Sequence, residues 1–306
     1  MREPAVIRML PDGRRMHLQD GPIDLIVEAN GSPQAVSAAY EAAARRFVRV
    51  LDELCGELPL LRQPARKTSE RPRGVVARRM FAAVEPYCED GFITPMAAVA
   101  GSVAEEILET MTKAAYLDRA YVNNGGDIAL HLADKEQFTV GLMDRPDQFG
   151  LMRTMVIDAG DPSRGVATSG RHGRSFSLGI ADAATVLART AAQADAAATI
   201  IANAVDLPGH PAIIRCPAEE LQPDSDLGAR LVTRDVGPLK EFEIVAALEA
   251  GSDKARALFA AGLIDGAALH LQGRTRVIAL KSSAANVRNA ASPQLSESAV
   301  ESAVHA

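Results

Sequence analysis

The sequence predicts an α+β fold, an antiparallel β-sheet core packed with long α-helices. Three observations carry this expectation. Short apolar runs at the start of the chain are parted by turn dipeptides. Long segments with helical spacing of apolar residues follow. The middle of the chain then alternates like strands broken by glycine-rich turns.

Residues 5–10, 14–18 and 23–28 are apolar runs separated by Asp12-Gly13 and Asp20-Gly21-Pro22, which reads as a β-meander. Ser32-Pro33 supplies an N-cap and a proline at the first helical position. Val36, Tyr40, Ala43, Phe47, Val50 and Leu54 then share one helical face, predicting a helix that ends near Gly56. The polar, basic, proline-bearing stretch 57–73 reads as a loop. Helices are expected over Val75–Val84 and from Thr94-Pro95 to about Ala115. From Ala120 to Ala188 the runs AYVNNGGDIALHLA, QFTVGLM, RTMVID, GVATSG and SFSLGIADAATVLA are strand-like. A helix from about Thr190 to Ala204 follows, then strands near Ala212–Cys216 and Ala229–Val236 and a helix or helix pair over Leu239–Ala261. A hairpin turning at Gln272-Gly273 completes the pattern. One domain is expected over residues 1–280, with 281–306, rich in Ser, Ala and Glu, as a flexible tail.

With 306 residues and 47% hydrophobic content the chain can bury a substantial core. A net charge of −6 is not that of a nucleic-acid binder. Cys55, Cys88 and Cys216 are widely spaced with no CxxC, which argues against a disulfide framework and for a reducing compartment. The start of the chain carries no apolar stretch of the signal-peptide kind, and the longest uncharged run, Phe92–Ala104, is too short to span a bilayer. A cytoplasmic location without membrane partners is the expectation. Alanine-rich helices favour packing against another copy, so a homo-oligomer is open.

Three constellations can carry chemistry. Asn123-Asn124-Gly125-Gly126-Asp127 joins two strand-like runs. Alone it is a common hairpin turn, but its glycines also let a ligand approach the backbone. The run from Gly165 to Ser175 holds Thr168, Ser169, Gly170, Arg171, His172 and Arg174. Glycine-rich backbone can aim N–H groups at an anion, and Arg171 or Arg174 can pair with phosphate oxygens; the plainer alternative is a solvated loop. Asp195 and Thr199, four apart on an alanine-rich helix, present two oxygen ligands on one face. Such a pair suits Mg²⁺, which completes its shell with water and phosphate. Asp195 is also the only charge between Arg189 and Asp206, and a lone buried carboxylate is costly.

In this order, N-x-GGD, A-T-S-G and D-A-x-A-T resemble the motif series of the ApbE (FAD:protein FMN transferase) superfamily. The small-residue segment Pro95–Ala104, PMAAVAGSVA, is similar to the one that precedes them there. The resemblance covers roughly residues 90–205 and implies an ApbE-like α+β fold. It implies Mg²⁺ held by Asp195, Thr199 and the Ala100 carbonyl. It also implies a flavin nucleotide, FAD or FMN, against Asn123, Gly125, Gly126, Asp127, Thr168, Ser169 and Gly170. The family's reaction passes FMN from FAD to a threonine of a target protein, with AMP leaving, and the catalytic residue is left open here. Two departures stand out. Gly101 occupies a place where the transferases usually have lysine, and the H-x-I-x-D-P-x-T-G element is replaced by the interval that begins RHGRSFSLGIAD. The chain therefore reads as a cytoplasmic branch of unassigned activity, expected to be a Mg²⁺-dependent enzyme that binds FAD or a related nucleotide, with FMN or phosphoryl transfer open. The alternatives are another metabolic enzyme using the scaffold for a small anionic metabolite, and a non-catalytic flavin-binding protein. Tyr87, Phe92, Tyr121 and Phe176 are the aromatic residues nearest the motifs in sequence.

Overall fold

A computed structural model describes residues 4–278 apart from 69, 90, 146 and 147, and only the backbone of 142–153. The region 281–306, expected as a tail, lies outside the described residues. The meander forms as β1 (Val6–Met9), β2 (Met16–Asp20) and β3 (Ile23–Asn30). Its sides are set by strict alternation. Ile23, Leu25, Val27 and Ala29 are buried, while Asp24, Ile26, Glu28 and Asn30 face the more open side.

Helix α1 (Pro33–Leu61) starts as expected, with the Ser32 hydroxyl accepting the Ala35 amide. It runs past Gly56 and through Pro59 because Leu61 is fully buried. Burial of a leucine stabilises by about 2 kcal/mol and anchors the last turn. Helix α2 (Val75–Val84) follows the loop, and a short 3₁₀ turn over Pro95–Ala98 leads into α3 (Val99–Ala114).

Strands β4 (Arg119–Asn124) and β5 (Asp127–Leu132) form a hairpin, as do the longer β6 (Gln137–Arg145) and β7 (Gln148–Asp158). Strands β8 (Gly165–Ser169) and β9 (Ala183–Ala188) precede α4 (Ala191–Ala204), whose N-cap Thr190 accepts the Gln193 amide. The strand-like reading of SFSLGIAD is corrected: residues 171–182 form an irregular loop, and only Ala183–Ala188 is strand. A small pair, β10 (Ile213–Pro217) and β11 (Leu231–Val236), brackets the one-turn α5 (Ala218–Leu221). Then come α6 (Glu241–Ala260), one helix rather than two, and the hairpin β12 (Gly266–Leu271) and β13 (Arg274–Ile278).

One sheet of nine strands, ordered β1-β2-β3-β4-β5-β8-β9-β12-β13, is antiparallel throughout. The helices cover one face in nearly the same order: α1 by β2 and β3, α3 on β4 and β5, α4 on β8 and β9, α6 on β12 and β13. Across the sheet, Val140, Met155 and Ile157 of the β6–β7 hairpin pack on Leu130, Val166 and Leu187. This architecture is the α+β fold the sequence predicts. Among the described residues no helix is long and apolar enough to cross a membrane.

Candidate functional site

Glycine sets the contact between α3 and α4. A side-chain carbon at Gly101 would overlap the Ala191 carbonyl, and one at Gly165 would overlap the Thr190 backbone. The N-terminal turns of both helices therefore lie close to each other and to β8. A lysine at position 101, the usual residue of the transferases, has no room here without parting the helices.

Asp195 projects from the first turns of α4 to the start of α3, where the Gly101 amide donates to its Oδ2 at 2.9 Å and the Ala100 amide adds a second bond. Asn124, at the end of β4, donates from Nδ2 to the Ala100 carbonyl at 3.1 Å. The parity of β5 puts Asp127 on the same helix-facing side as the buried Ala129, and there it meets Asp195. The Thr168 backbone amide donates to Asp127, while one Asp127 oxygen, Oδ1, is buried with no hydrogen-bond partner.

Two carboxylates in a poorly solvated place resist ionisation. Burial pushes the Asp195 carboxyl up from an ordinary 3.8 to about 7, against the pull of the Gly101 and Ala100 amides. Burial, and then the neighbouring Asp195, raises the Asp127 carboxyl well above the usual range. Both residues keep part of their surface accessible, although the Asp127 Oδ1 atom itself is buried. An orphaned buried oxygen beside a second carboxylate fits a hard cation, whose charge would offset the repulsion. Among the described residues no group of three or more His, Cys, Asp or Glu gathers. A cation at this place would therefore draw on Asp127, Asp195, the half-buried Thr199 one turn along α4, the Ala100 carbonyl and oxygens of a ligand or water.

The other sequence-chosen residues divide. Asn123 faces away from the helices and accepts the Gly126 amide at Oδ1, 2.8 Å, closing the turn. Gly125 and Gly126 adopt positive φ, +63° and +108°, in the turn that leads into Asp127. The Thr168 hydroxyl points to the opposite sheet face, paired with Thr185 at 2.9 Å, so only its backbone serves the site. Ser169 returns to the helix side at the end of β8. Gly170 lies so close to the Asp182 carbonyl that a side chain there would overlap it.

Arg171 is corrected from a free phosphate ligand to a structural cation. Its Nε and Nη2 donate to Asp182 Oδ1 at 2.8 and 2.7 Å. His172 Nε2 lies 3.1 Å from the same oxygen, and the Gln272 amide donates to Oδ2 at 2.6 Å. Arg174 is exposed, with its guanidinium beside Gly125. Of the aromatic residues, Tyr87 is buried in the core, Tyr121 stacks edge-on with Phe138 at 5.9 Å, and Phe92 lies under Arg230 at 3.3 Å. Asn124 and the Asp127–Asp195 pairing escape sequence reasoning. Strand parity, with Asn124 on the side of Val122 and Asp127 on that of Ala129, is the signal that finds them.

The chain is similar to UPF0280 proteins of archaea. It is 40% identical over 113 residues to that of Methanothrix thermoacetophila (37% of this chain, 46% of the relative). It is 35% identical over 170 residues to that of Archaeoglobus fulgidus (54% and 66%). It is 33% identical over 189 residues to that of Methanopyrus kandleri (59% and 69%). The chain thus spans about half to two-thirds of the length of these relatives. Among solved structures it matches the flavin transferase ApbE from Vibrio cholerae, at 11% identity and a TM-score of 0.39 over 91% of this chain and 98% of that one. The family model described as "AbpE bacteria" matches residues 7–277, the whole of the nine-stranded sheet and its helices save the ends, and the chain belongs to that family, an ApbE-like branch.

Proposed function

We propose that the chain is a Mg²⁺-dependent enzyme that binds FAD or a related nucleotide in the Asp127–Asp195 cleft, with phosphoryl (FMN) transfer as its class of reaction. The observation that carries this reading is the facing carboxylate pair with its orphaned oxygen. Two acids buried together against a helix start are costly in isolation, and a bound divalent cation turns that cost into affinity. The order of the motifs that line the cleft, resembling the ApbE series, favours a flavin nucleotide as the cation's other ligand.

Each residue then has a definite task. Asp127 and Asp195 hold the metal, with Thr199 and the Ala100 carbonyl beside them. Asn124 and the Gly101 amide keep the Ala100 carbonyl and the Asp195 carboxylate in place. The Gly125–Gly126 turn lets a phosphate approach the backbone. Bound Mg²⁺ would neutralise charge on bridging phosphate oxygens. Alanines 196–198 keep that side of α4 small.

A second reading has a specific observation behind it. The Asp-Pro element of the transferases is replaced by a loop that brings the exposed Arg174 beside Gly125, which favours a smaller anionic metabolite. Titration calorimetry with FAD, in Mg²⁺ and in EDTA, tests the first reading. Metal-dependent binding that Asp195→Ala abolishes, with release of AMP on turnover, is the expected result. Binding of carboxylate or phosphate metabolites with no response to FAD would replace it with the second.

A further inference from the structure

The loop from Gly170 to Asp182 carries two arginines three residues apart with different surroundings. Arg171 has a side chain only 16% exposed and spends its guanidinium on Asp182, itself nearly buried. Together with His172 and the Gln272 amide this fixes the loop's base to the β12–β13 turn. Arg174 is exposed and has no carboxylate partner among the described residues. Its guanidinium carbon lies 3.5 Å from where a Gly125 side chain would begin, so it lies over the turn. That turn runs straight into Asp127.

We propose that Arg174 is the specificity-determining residue of the cleft, recognising a phosphate or diphosphate group laid over the Gly125–Gly126 turn. The proposal rests on the reading of the cleft as a ligand site but requires only an oxyanion, not a flavin. A guanidinium offers two parallel N–H donors that match a phosphate edge. Gly125 and Gly126 carry no side chains and have positive φ, which favours glycine, so an anion can approach the backbone there. Of the other charged residues described beside the turn, Arg171 and His172 are committed to Asp182, and Asp127 and Asp195 repel an anion unless a cation lies between. Arg174 and such a cation would grip a diphosphate from two sides. Arg171, His172 and Asp182 act as positioning residues for the loop.

The test is an amide NMR titration of the isotope-labelled full chain with inorganic pyrophosphate in the presence of Mg²⁺, then with Mg²⁺–FAD, in wild type, Arg174→Ala and Arg174→Lys. Arg174 is exposed, so neither variant threatens folding. Pyrophosphate is expected to shift the Gly125 and Gly126 amides most. Arg174→Ala should weaken that response roughly tenfold or more, the size expected for a hydrogen bond to a charged group. Arg174→Lys should fall between, keeping charge but losing the fork. Equal binding in Arg174→Ala, no pyrophosphate response in the wild type, or shifts scattered over the surface would each overturn the proposal. If pyrophosphate binds through Arg174 while Mg²⁺–FAD does not, Arg174 keeps its role and the flavin reading falls.

Discussion

The Asp195 carboxylate of α4 accepts the Gly101 amide of α3 at 2.9 Å, and the bond is answered in the other direction: the Ala192 amide of α4 donates to Glu105 of α3 at 3.3 Å. Each helix thus presents an acid to the other's first turns, where unpaired N–H groups and the helix dipole favour negative charge. Glu105 is backed by Arg79, which also pairs with Glu109 at 2.6 Å, so the arrangement is anchored to α2.

The closeness of these helices depends on Gly101. Replacing it by alanine pushes a methyl group into the Ala191 carbonyl, which backbone must yield. Gly101→Ala is expected to destabilise the fold by about 1–3 kcal/mol, the usual penalty of overpacking, despite alanine's better helix propensity. Urea unfolding reads this as a lower midpoint with an unchanged slope. A midpoint equal to or above the wild type would mean that the two helices have slack.

The site's parts differ in how plainly the sequence displays them. Caps and periodicity are local, so Ser32-Pro33, Thr190 and the alternation of Ile23–Asn30 disclose α1, α4 and β3 directly. The pairing of Asp127 with Asp195 joins residues far apart in the chain. It is visible only through the parity of β5 once the sheet order is known. The loop 171–182 misleads because SFSLGI alternates like a strand. Its backbone bonds are scattered instead of forming a ladder: the Leu178 amide donates to Asn203 Oδ1, the Ile180 amide to the Val205 carbonyl and the Asp182 amide to the His270 carbonyl of β12, while the Ser177 carbonyl accepts the Thr233 amide of β11. Ile180 is buried. Arg171 and Arg174 look equivalent in sequence because the acid that separates them, Asp182, lies across the loop.

Stability should depend on pH with an unusual sign. The Asp195 carboxyl is raised from 3.8 to about 7 and Asp127 is raised too, so the folded state binds protons more tightly than the unfolded one. The contribution of Asp195 is full below the unfolded value, declines as pH rises, and is gone above about 7, and that of Asp127 acts in the same direction. In metal-free buffer Tm is therefore expected to be higher at pH 5.5 than at pH 8. At stronger acidity groups of the opposite kind take over, such as Asp12, held at about 2 by the Arg15 and Arg14 amides. Asp195→Asn should flatten the profile between pH 5.5 and 8. Saturating Mg²⁺ should raise Tm most at the alkaline end, because the metal takes the deprotonated form. A wild-type Tm that climbs from pH 5.5 to 8 in EDTA, with the same slope in Asp195→Asn, is incompatible with this account.

Asp182 should be far less tolerant than the cleft acids. It is 6% exposed and accepts bonds from Arg171, His172 and the Gln272 amide, so its removal strands a half-buried guanidinium. Asp182→Ala is expected to cost about 3–5 kcal/mol, as for a broken buried ion pair, with faster hydrogen exchange across 170–182. The double variant Asp182→Ala with Arg171→Leu should recover part of that loss, since the uncompensated charge is gone. No recovery would mean that the packing of Asp182, rather than its charge, holds the loop.

Asp127→Asn separates function from stability most sharply. The substitution removes one of two mutually repelling acids, and the amide nitrogen can donate to the neighbouring carboxylate. The Thr168 amide keeps an oxygen acceptor. The metal-free variant is therefore expected to be more stable than the wild type at pH 8 by about 1–2 kcal/mol, in the range seen when a functional site gives up its strain. It should at the same time lose most of the Tm increase that Mg²⁺ gives the wild type, because one of two charged ligands is gone. A buried acid kept only for folding predicts the reverse in both readouts, with a lower Tm at pH 8 and an undiminished response to Mg²⁺. Differential scanning calorimetry of the two proteins at pH 8, with EDTA and with Mg²⁺, decides between them in four scans.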